Sequence, residues 1–520
     1  MSVAAAAPAA GARERVRVVI IGSGFAGLGL AIKLREAGVD DFVILERADA
    51  IGGTWRDNHY PGCACDVPAH LYSYSFFGNP DWSETYAPQP ELRAYTERCA
   101  ARWQLHRFVR FGAEVTAAEL DEAAATWTVH TRDGRRFVGD VLVAAIGGLS
   151  RPLVPRLPGL ERFAGPSWHS AAWNHDVPLA GKTVAVIGTG ASAIQFVPKL
   201  APEVARLHLF QRTPPWILPR RERAFSARER AAFRVVPGLR RLHRAQLYLG
   251  HELRALPFTV EPRLLRLLEP VARRHLARQV QDPALRARLT PDYVMGCKRI
   301  LISNDYYPAV ARANVELVTD GIRELTARGV VTTDGRERAV DAIVFGTGFD
   351  IHDYLGGLRV IGRGGEELGA RWRTSPEAYL GTMAPGFPNL FTMVGPNTGL
   401  GHNSIIFMIE CQLRLIMSCL RRMRTHALAT IEPRADVTRA YNDELQRRLA
   451  GTVWMTGCTS WYQNAAGKNT TLWPGFTVEF AARTRRMRPA DYVLRRRDEL
   501  PARAPAGVAA GVPSVPGRAA

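Results

Sequence analysis

The N-terminal part of the chain has the hydrophobic pattern of a strand, a helix and a second strand. Residues 16–21 are dominated by β-branched side chains, as in a parallel strand that is buried on both faces. A glycine-rich turn follows, then a helical segment to about residue 37 and a hydrophobic strand at 42–45. The same order of strand, turn, helix and strand returns between residues 183 and 210. The pattern therefore predicts two βαβ units in one chain.

The first unit has the glycine spacing of a dinucleotide-binding turn, with Gly22, Gly24 and Gly27. The third glycine of such a turn lets the helix pack on the strand, and the phosphates bind at the helix N-terminus. Glu46 stands at the end of the second strand, 24 residues after Gly22. A carboxylate at this position accepts hydrogen bonds from a ribose diol. The first unit is therefore predicted to bind FAD.

The second unit repeats this spacing but ends on a basic residue. The turn that we expect to hold the second dinucleotide consists of Gly188, Thr189, Gly190, Ala191, Ser192 and Ala193. The same step of 24 residues from Gly188 leads to Arg212, where the first unit has an acid. An arginine fork suits a 2′-phosphate, so this unit is predicted to bind NADPH. The alternative, that Arg212 is only a solvated loop residue, stays open at this point.

The fold class predicted from these units is α/β, with two Rossmann-like dinucleotide-binding domains and an inserted helical subdomain. We expect residues 13–150 to form the first part of the FAD-binding domain, and residues 389–500 to complete it. Residues 151–388 would form the NADPH-binding domain, with the helical insertion at about 220–325. The last segment, 501–520, is rich in Ala, Pro and Gly and is predicted to be a disordered tail.

The chain is basic, but its composition does not favour a nucleic-acid partner. It has 520 residues and a net charge of +19, yet only five of its 68 basic residues are lysine. The arginines are scattered along the chain, which is typical of a compositional bias and not of a polyanion-binding groove. The seven cysteines include no Cys-x-x-Cys pair, so neither a disulfide framework nor a metal site is predicted.

The same features bear on the compartment and the reaction. No apolar run approaches the ~20 residues of a membrane span, and no secretory signal is evident at the N-terminus, so we expect a reduced, cytoplasmic protein. An FAD domain beside an NADPH domain indicates electron transfer, disulfide reduction or oxygen activation. Because a disulfide reductase needs a redox dithiol near its flavin, oxygen activation is the strongest of these classes.

The segment between the two units resembles the fingerprint of the flavin-containing Baeyer–Villiger monooxygenases. That fingerprint, Phe-x-Gly-x-x-x-His-x-x-x-Trp, is matched by Phe163, Gly165, His169 and Trp173. Related flavin monooxygenases that oxidise nitrogen or sulfur usually carry another aromatic residue at the last position, so Trp173 favours the Baeyer–Villiger branch. We expect His169 to be a hydrogen-bonding strut that couples the domains and not to transfer protons.

The resemblance extends over most of the chain and implies the remaining site residues. It implies that Asp66 and Arg299 are the catalytic residues of the active site. For FAD it implies contacts in and after the tight turn at residues 52–55, from Thr54, Trp55, Asp66 and Tyr72. For NADP it implies contacts from Arg212, Thr213, Lys298 and Trp461, the last on a mobile loop. Two alternatives remain open: Lys298 and Arg299 as a surface basic pair, and Trp461 as core packing.

The expected activity is the NADPH- and dioxygen-dependent conversion of a ketone to an ester or lactone. A fixed guanidinium at Arg299 would stabilise the negative charge that develops during such a reaction, and the loss of one such donor typically costs about 3 kcal/mol. One alternative within enzymes is a sulfide or amine oxygenase. An alternative of another class is a non-catalytic sensor of dinucleotide redox state. The sequence does not identify the ketone or the oligomeric state.

Overall fold

The computed structural model describes residues 13–456 and 458–502. The predicted disordered tail lies outside this part of the chain, apart from its first two residues. The strands are β1 (Arg13–Ile21), β2 (Phe42–Leu45), β3 (Val109–Arg110), β4 (Val115–Asp121), β5 (Thr126–Thr131), β6 (Arg136–Ala144), β7 (Ser167–His169), β8 (Thr183–Ile187), β9 (Arg206–Phe210), β10 (Ile217–Leu218), β11 (Leu301–Ile302), β12 (Val315–Val318), β13 (Ile322–Leu325), β14 (Gly329–Thr332), β15 (Glu337–Ala339), β16 (Ala342–Phe345), β17 (Arg359–Ile361), β18 (Leu390–Thr392), β19 (Leu428–Pro433) and β20 (Tyr492–Arg496).

Helices cover the sheets and form a separate group in the middle of the chain. They are α1 (Phe25–Glu36), α2 (Thr54–Asp57), α3 (Gln89–Arg102), α4 (Ala193–Leu200), α5 (Ala227–Val235), α6 (Leu239–Glu252), α7 (Glu269–Gln279), α8 (Pro283–Arg288), α9 (Tyr306–Val310), α10 (Leu368–Trp372), α11 (Ile405–Thr425), α12 (Ala435–Ala450) and α13 (Thr477–Arg483). No helix of the described chain is both long and apolar enough to cross a bilayer.

The first βαβ unit lies at the centre of an eight-stranded sheet. Its strand order is β17-β4-β5-β6-β1-β2-β3, and β18 also pairs with β6. Strands β1, β2, β3, β6 and β18 run parallel, which places the turn after β1 at the carboxyl edge of the sheet. Helix α11 packs on α1 at Gly29, where an added Cβ would lie 3.0 Å from Leu413 Cδ1. The first predicted unit is therefore present, completed by a strand from the C-terminal part of the chain.

The second βαβ unit forms a five-stranded parallel sheet in the order β12-β9-β8-β16-β7. The α/β fold class with two nucleotide-binding sheets is thereby confirmed. The helical group between the two halves of this sheet consists of α5 to α8 and ends at Arg288. Strand β12 at 315–318 already belongs to the second sheet, and β17 belongs to the first. The domain boundaries themselves stay a prediction.

A disulfide between Cys297 and Cys458 overturns the expectation that the cysteines are all reduced. The two residues are 161 positions apart, and their Cα atoms are 6.2 Å apart. Such a distant pair leaves no spacing pattern in the sequence, so the prediction was wrong for these two cysteines. The other five cysteines are free and buried. The disulfide joins the segment that carries Lys298 and Arg299 to the loop that carries Trp461.

We expect Cys458→Ser to lower the free energy of unfolding by about 2–4 kcal/mol, because a cross-link that closes a long loop restricts the unfolded chain. The measurement is denaturant unfolding of the wild-type protein and the variant under oxidising conditions. In dithiothreitol the two proteins should unfold at the same denaturant concentration. A difference that persists in dithiothreitol would assign the effect to packing of the side chain and not to the disulfide.

Candidate functional site

The turn after β1 is built so closely that its glycines leave no room for side chains. Gly22 has φ +100°, and an added Cβ would lie 2.6 Å from the carbonyl oxygen of Ala145. At Gly27 an added Cβ would lie 1.9 Å from the Gly22 oxygen, so the helix starts directly on the strand. At Gly53, which has φ +53°, an added Cβ would lie 2.9 Å from the Cα of Gly24. This bare backbone cradle fits a dinucleotide phosphate at the N-terminus of α1.

Glu46 lies where the sequence predicted a ribose ligand, and its carboxylate is fully engaged within the protein. Oε2 accepts hydrogen bonds from the Ser23 amide and hydroxyl, at 3.0 and 2.6 Å. Oε1 accepts from the Ala48 amide at 3.0 Å and pairs with Arg56 at 2.9 Å. A carboxylate has about four acceptor positions. To bind a ribose diol at Glu46, one partner must turn away, and the Ser23 hydroxyl is the one that rotation alone can release.

Thr54, Trp55 and Tyr72 lie next to this cradle. Thr54 starts helix α2, and the indole Nε1 of Trp55 donates to the Tyr72 hydroxyl at 3.2 Å. The Tyr72 ring meets Phe25, the first residue of α1, edge to face at 5.5 Å. These contacts connect the turn at residues 52–55 to the nucleotide turn, and they leave an aromatic wall beside the space in which the resemblance places the flavin.

The second nucleotide turn has the same close construction. Gly188 has φ +106°, and an added Cβ would lie 2.5 Å from the Gly346 oxygen. The Thr189 hydroxyl donates to the backbone oxygen of Thr213 at 3.4 Å, so the turn contacts the segment after β9. The exposed Gly190 and Ala191 and the half-buried Ser192 precede Ala193, the first residue of α4.

Arg212 and Lys298 come together beside this turn, although they are far apart in sequence. Burial and the charge of Arg212 lower the pKa of Lys298. Neither side chain forms an ion pair within the described chain, and the Lys298 ammonium lies 4.7 Å from the centre of the Tyr293 ring. Arg212 and Lys298 thus place two cations beside the second nucleotide turn, with Asp292 partly offsetting their repulsion, and such a pair suits a doubly charged phosphate. Arg212 itself is exposed, so its contact with the 2′-phosphate stays a prediction.

Asp66 and Arg299 form an ion pair that joins two segments 233 residues apart in the sequence. Arg299 Nε and Nη2 both donate to Asp66 Oδ2, at 3.2 and 2.5 Å. Burial opposes ionisation of Asp66, but the charge of Arg299 and its hydrogen bonds outweigh it, so the pKa of Asp66 lies below its usual value. The Asp66 charge in turn raises the pKa of Arg299. Both side chains are about one third exposed, 31% and 35%, so the pair stays charged and accessible to a ligand.

Several residues around this pair were not identified from the sequence. Arg220 stacks its guanidinium on Tyr86, 4.9 Å from the ring centre, and donates to the Tyr86 backbone oxygen at 3.5 Å. The charge of Arg220 also lowers the pKa of Asp66. Burial raises the pKa of Tyr462 to about 12, and the charge of Arg299 opposes this shift. Burial lowers the pKa of His251 to about 4, against the field of Asp66. No spacing pattern in the sequence marks these residues.

The fingerprint segment includes β7, the edge strand of the second sheet, which pairs with β16. His169 ends β7, is buried, and accepts a hydrogen bond at Nδ1 from the Ala171 amide at 3.1 Å. Its Nε2 has no partner within the described chain. The Trp173 ring contacts Phe196 of α4 at 5.2 Å, which connects the fingerprint to the helix of the second nucleotide turn. His169 thus has the surroundings of a packing and hydrogen-bonding group.

Gly165 is required because its neighbours fill the space of a side chain. An added Cβ would lie 2.6 Å from the Asp341 oxygen and 2.7 Å from the ring of Phe163. We expect Gly165→Ala to lower the free energy of unfolding by about 1–3 kcal/mol, as for overpacking in a filled core. Gly148→Ala is the control, because nothing lies within 4 Å of its added Cβ. Equal denaturant midpoints for the two variants would disprove the steric role of Gly165.

Gln195 of α4 connects the second nucleotide helix to the loop that carries Asp66. The Tyr60 hydroxyl donates to Gln195 Oε1 at 2.9 Å, and Gln195 Nε2 donates to the backbone oxygen of Ala64 at 3.0 Å. A movement of α4 is therefore transmitted to the segment just before Asp66. Gln195 and Ala64 are 131 residues apart, so the sequence alone could not pair them.

Trp461 lies on the surface and not in the core, so the core-packing alternative is wrong. Its side chain is 47% exposed and stacks on Tyr462, with ring centres 4.4 Å apart. Its backbone oxygen accepts a hydrogen bond from His352 Nε2 at 3.1 Å. Three residues before it, Cys458 joins this loop to Cys297. The loop is thus tied to the segment of Lys298 and Arg299 while its tryptophan faces outward.

Comparison with known proteins gives consistent results over most of the chain. Residues 19–228 match the family model of the pyridine nucleotide-disulphide oxidoreductases. A Baeyer–Villiger monooxygenase of Pseudomonas aeruginosa is 50% identical over 477 residues, 91% of this chain and 90% of its own length. The structure of cyclohexanone monooxygenase from Rhodococcus sp. Phi1 bound to NADP+ has a TM-score of 0.83 and 30% identity, covering 93% of this chain and all of its own. The structure of OTEMO complexed with FAD and NADP has a TM-score of 0.84 and 25% identity, covering 92% and 99%.

Proposed function

Because this chain belongs to the Baeyer–Villiger monooxygenase family, we propose that it inserts one oxygen atom of dioxygen next to a ketone carbonyl, with FAD and NADPH as cofactors. The observation that supports this most is the partly exposed charged pair of Asp66 and Arg299 in a chain with two nucleotide turns. The product is an ester or, from a cyclic ketone, a lactone. Small-molecule ketones and dioxygen are the proposed substrates.

The cradle of Gly22, Gly24 and Gly27 would hold the FAD phosphates, with Glu46 at the ribose. When bound, FAD would supply the redox chemistry that activates dioxygen, and the protein would supply binding, orientation and electrostatics. The wall of Trp55 and Tyr72 would shape the space on one side of the flavin. The second turn would hold the NADP phosphates, with Arg212, Thr213 and Lys298 at the 2′-phosphate.

Arg299 is the proposed catalytic residue. Its guanidinium is fixed by two hydrogen bonds to Asp66, so its remaining donors point in a constant direction before any substrate arrives. Donors that are fixed in advance stabilise charge developing on the oxygens of the transition state without reorganisation. Asp66 acts through Arg299 and is therefore a positioning residue. Since Asp66 stays ionised, it keeps the guanidinium oriented instead of transferring a proton.

Trp461 and His169 have proposed roles outside the chemistry. Trp461 lies exposed on a loop that is tied to the Arg299 segment, which suits a group that covers the nicotinamide nucleotide and excludes water. His169 and Trp173 would couple the fingerprint to α4, and Gln195 would pass a movement of α4 to the loop before Asp66. For the compartment we propose the cytoplasm, because five of the seven cysteines are unpaired.

The experiment for this function follows NADPH oxidation by the purified yellow protein with a panel of linear, cyclic and aryl ketones and of sulfides. The products are identified by mass spectrometry. We expect at least one ketone to give an ester or lactone at a rate well above oxidation without substrate. If sulfides are oxidised and no ketone reacts, the result would favour the heteroatom oxygenase. Slow oxidation that no compound accelerates would contradict the proposed activity.

A further inference from the structure

A cavity of about 290 Å³ lies between the segment that follows Asp66 and helix α6. Its lining combines two arginines, Arg221 and Arg223, with two histidines, His70 and His243. Apolar surface accounts for most of the remaining wall, including the ring of Phe225. Neither the nucleotide turns nor the pair of Asp66 and Arg299 contributes to this lining. The cavity is therefore a site in addition to those already described.

The cavity is adjacent to the active site along helix α6. His243, Leu247 and His251 stand four residues apart, so they share one face of the helix at steps of about 6 Å. His243 and Leu247 line the cavity, whereas His251 is in the field of Asp66. His251 Nδ1 also donates to the Leu247 oxygen at 2.9 Å, which fixes the ring on this face. One face of α6 thus leads from the active-site aspartate to the cavity.

The cavity wall opposite α6 also leads from Asp66 to the cavity. Pro68 and His70 line the cavity and follow Asp66 by two and four residues. The Ala69 amide donates to the Thr85 oxygen at 2.7 Å, and the Thr85 amide donates to the Arg223 oxygen at 2.9 Å. These backbone hydrogen bonds hold three chain segments side by side. Both walls therefore begin beside Asp66, and the rise of α6 from His251 to His243 places the cavity about 12 Å further along.

Positive charge around the cavity is only partly balanced by carboxylates. Arg221 forms no ion pair within the described chain, and Arg223 pairs at 2.8 Å with the exposed Glu229. Arg244 uses Nη1 for the backbone oxygens of residues 70, 71 and 73, at 2.8 to 3.1 Å, and also lacks an ion pair in the described part. Glu222 is engaged by Arg220 at 3.2 Å, outside the lining. Arg221 is exposed and has no ion pair in the described part of the chain, so its guanidinium is free to pair with an anionic group at the cavity.

His70 adds an unused hydrogen-bonding group. It is buried, and its Nε2 has no partner among the described residues. Burial, then the neighbouring His243, Arg240 and Arg244, lower its pKa to about 3, so the ring is neutral at pH 7. A buried polar atom without a partner is unfavourable unless a ligand or water satisfies it. A ligand carboxylate bound to Arg221 would accept a hydrogen bond from His70 Nε2.

On the basis of the proposed function, we infer that this cavity binds the carboxylate end of the substrate, with Arg221 as its main ligand. The preferred substrates are then ketones that carry a carboxylate about 12 Å from the carbonyl, the length of the path along α6. The apolar wall formed by Leu247 and Phe225 would contact the hydrocarbon between the two groups. Arg221 is thus proposed as a specificity-determining residue.

The kinetic test compares three compounds with the same ten-carbon backbone: a methyl ketone, the keto acid in which the far terminal carbon is a carboxylate, and the methyl ester of that keto acid. We expect the wild-type protein to have a kcat/KM for the keto acid at least tenfold above those for the other two. Arg221→Gln should lower kcat/KM for the keto acid by about 10- to 100-fold, the range for a lost charged hydrogen bond. For the two neutral compounds, kcat/KM should change by less than about twofold in this variant. Arg266→Gln, an exposed arginine of the same helical group, should change none of the three.

A binding test does not depend on turnover. Calorimetric titration of the oxidised holoenzyme with decanoate should show binding that Arg221→Gln weakens at least tenfold and Arg266→Gln leaves unchanged. Equal affinities of the wild type and Arg221→Gln would overturn the carboxylate site. If neutral ketones react and the keto acid has no advantage, the substrate inference is wrong and the proposed function stands. If no ketone reacts but decanoate binding depends on Arg221, the proposed function and the substrate inference both fail, and only an anion site remains.

Discussion

Arg299→Ala is expected to abolish ester formation while FAD stays bound and NADPH still reduces it. The variant removes the fixed guanidinium that stabilises negative charge in the transition state, and one such donor contributes about 3 kcal/mol, or on the order of 100-fold in kcat. The effect should exceed this value, because the half-buried Asp66 then loses its main counter-charge and its pKa rises. The measurement is the rate of product formation beside the rate of flavin reduction, followed by absorbance in a stopped-flow instrument.

Arg299→Lys is the matched variant for this experiment. It keeps the positive charge but loses the planar fork that donates twice to Asp66 Oδ2. We expect flavin reduction close to that of the wild type and product formation between those of the wild type and the alanine variant. Full ester yield from Arg299→Ala would remove Arg299 from the chemistry.

Arg212→Ala is expected to weaken NADPH binding by about 10- to 100-fold and to leave NADH binding unchanged. The physical reason is that only NADPH has the 2′-phosphate, and a charged hydrogen bond of this kind contributes about 1.5–3 kcal/mol. Lys298 stays beside the site in this variant and retains part of the affinity. The measurement is the concentration of each nucleotide that gives half the maximal rate of flavin reduction.

Arg206→Ala is the control for Arg212→Ala. Arg206 is also an exposed arginine, and it lies at the start of β9 in the same sheet. The control variant should bind NADPH and NADH as the wild type does. Equal losses for NADPH and NADH in Arg212→Ala would show that this arginine does not contact the 2′-phosphate, and the preference for NADPH would then need another source.

The two nucleotide units could be predicted from the sequence because their backbone geometry leaves no alternative to glycine. Gly22 and Gly188 both have φ near +100°, and both face a carbonyl oxygen within 2.6 Å of an added Cβ. This requirement lies within short segments, so it is visible as spacing. The same holds for Gly165 in the fingerprint, where the conflict with Phe163 arises two residues away.

The contacts that assemble the site could not be predicted from spacing. Asp66 and Arg299 meet across 233 residues, and only the family resemblance indicated both. Cys297 and Cys458 meet across 161 residues, and their neighbourhood in sequence has no motif. Gln195 and the cavity of His70 and Arg221 likewise depend on how separate segments pack. Long-range packing decides these contacts, and local residue patterns carry no trace of it.

The most direct measurement is the reaction of the wild-type protein with a ketone under isotopically labelled dioxygen, with the product analysed by mass spectrometry. We expect one labelled oxygen atom in the ring or chain position of the ester and no label when NADPH is omitted. An ester without the label, or flavin oxidation that never places oxygen in a ketone, would contradict the oxygen insertion proposed for Arg299 and its cofactors.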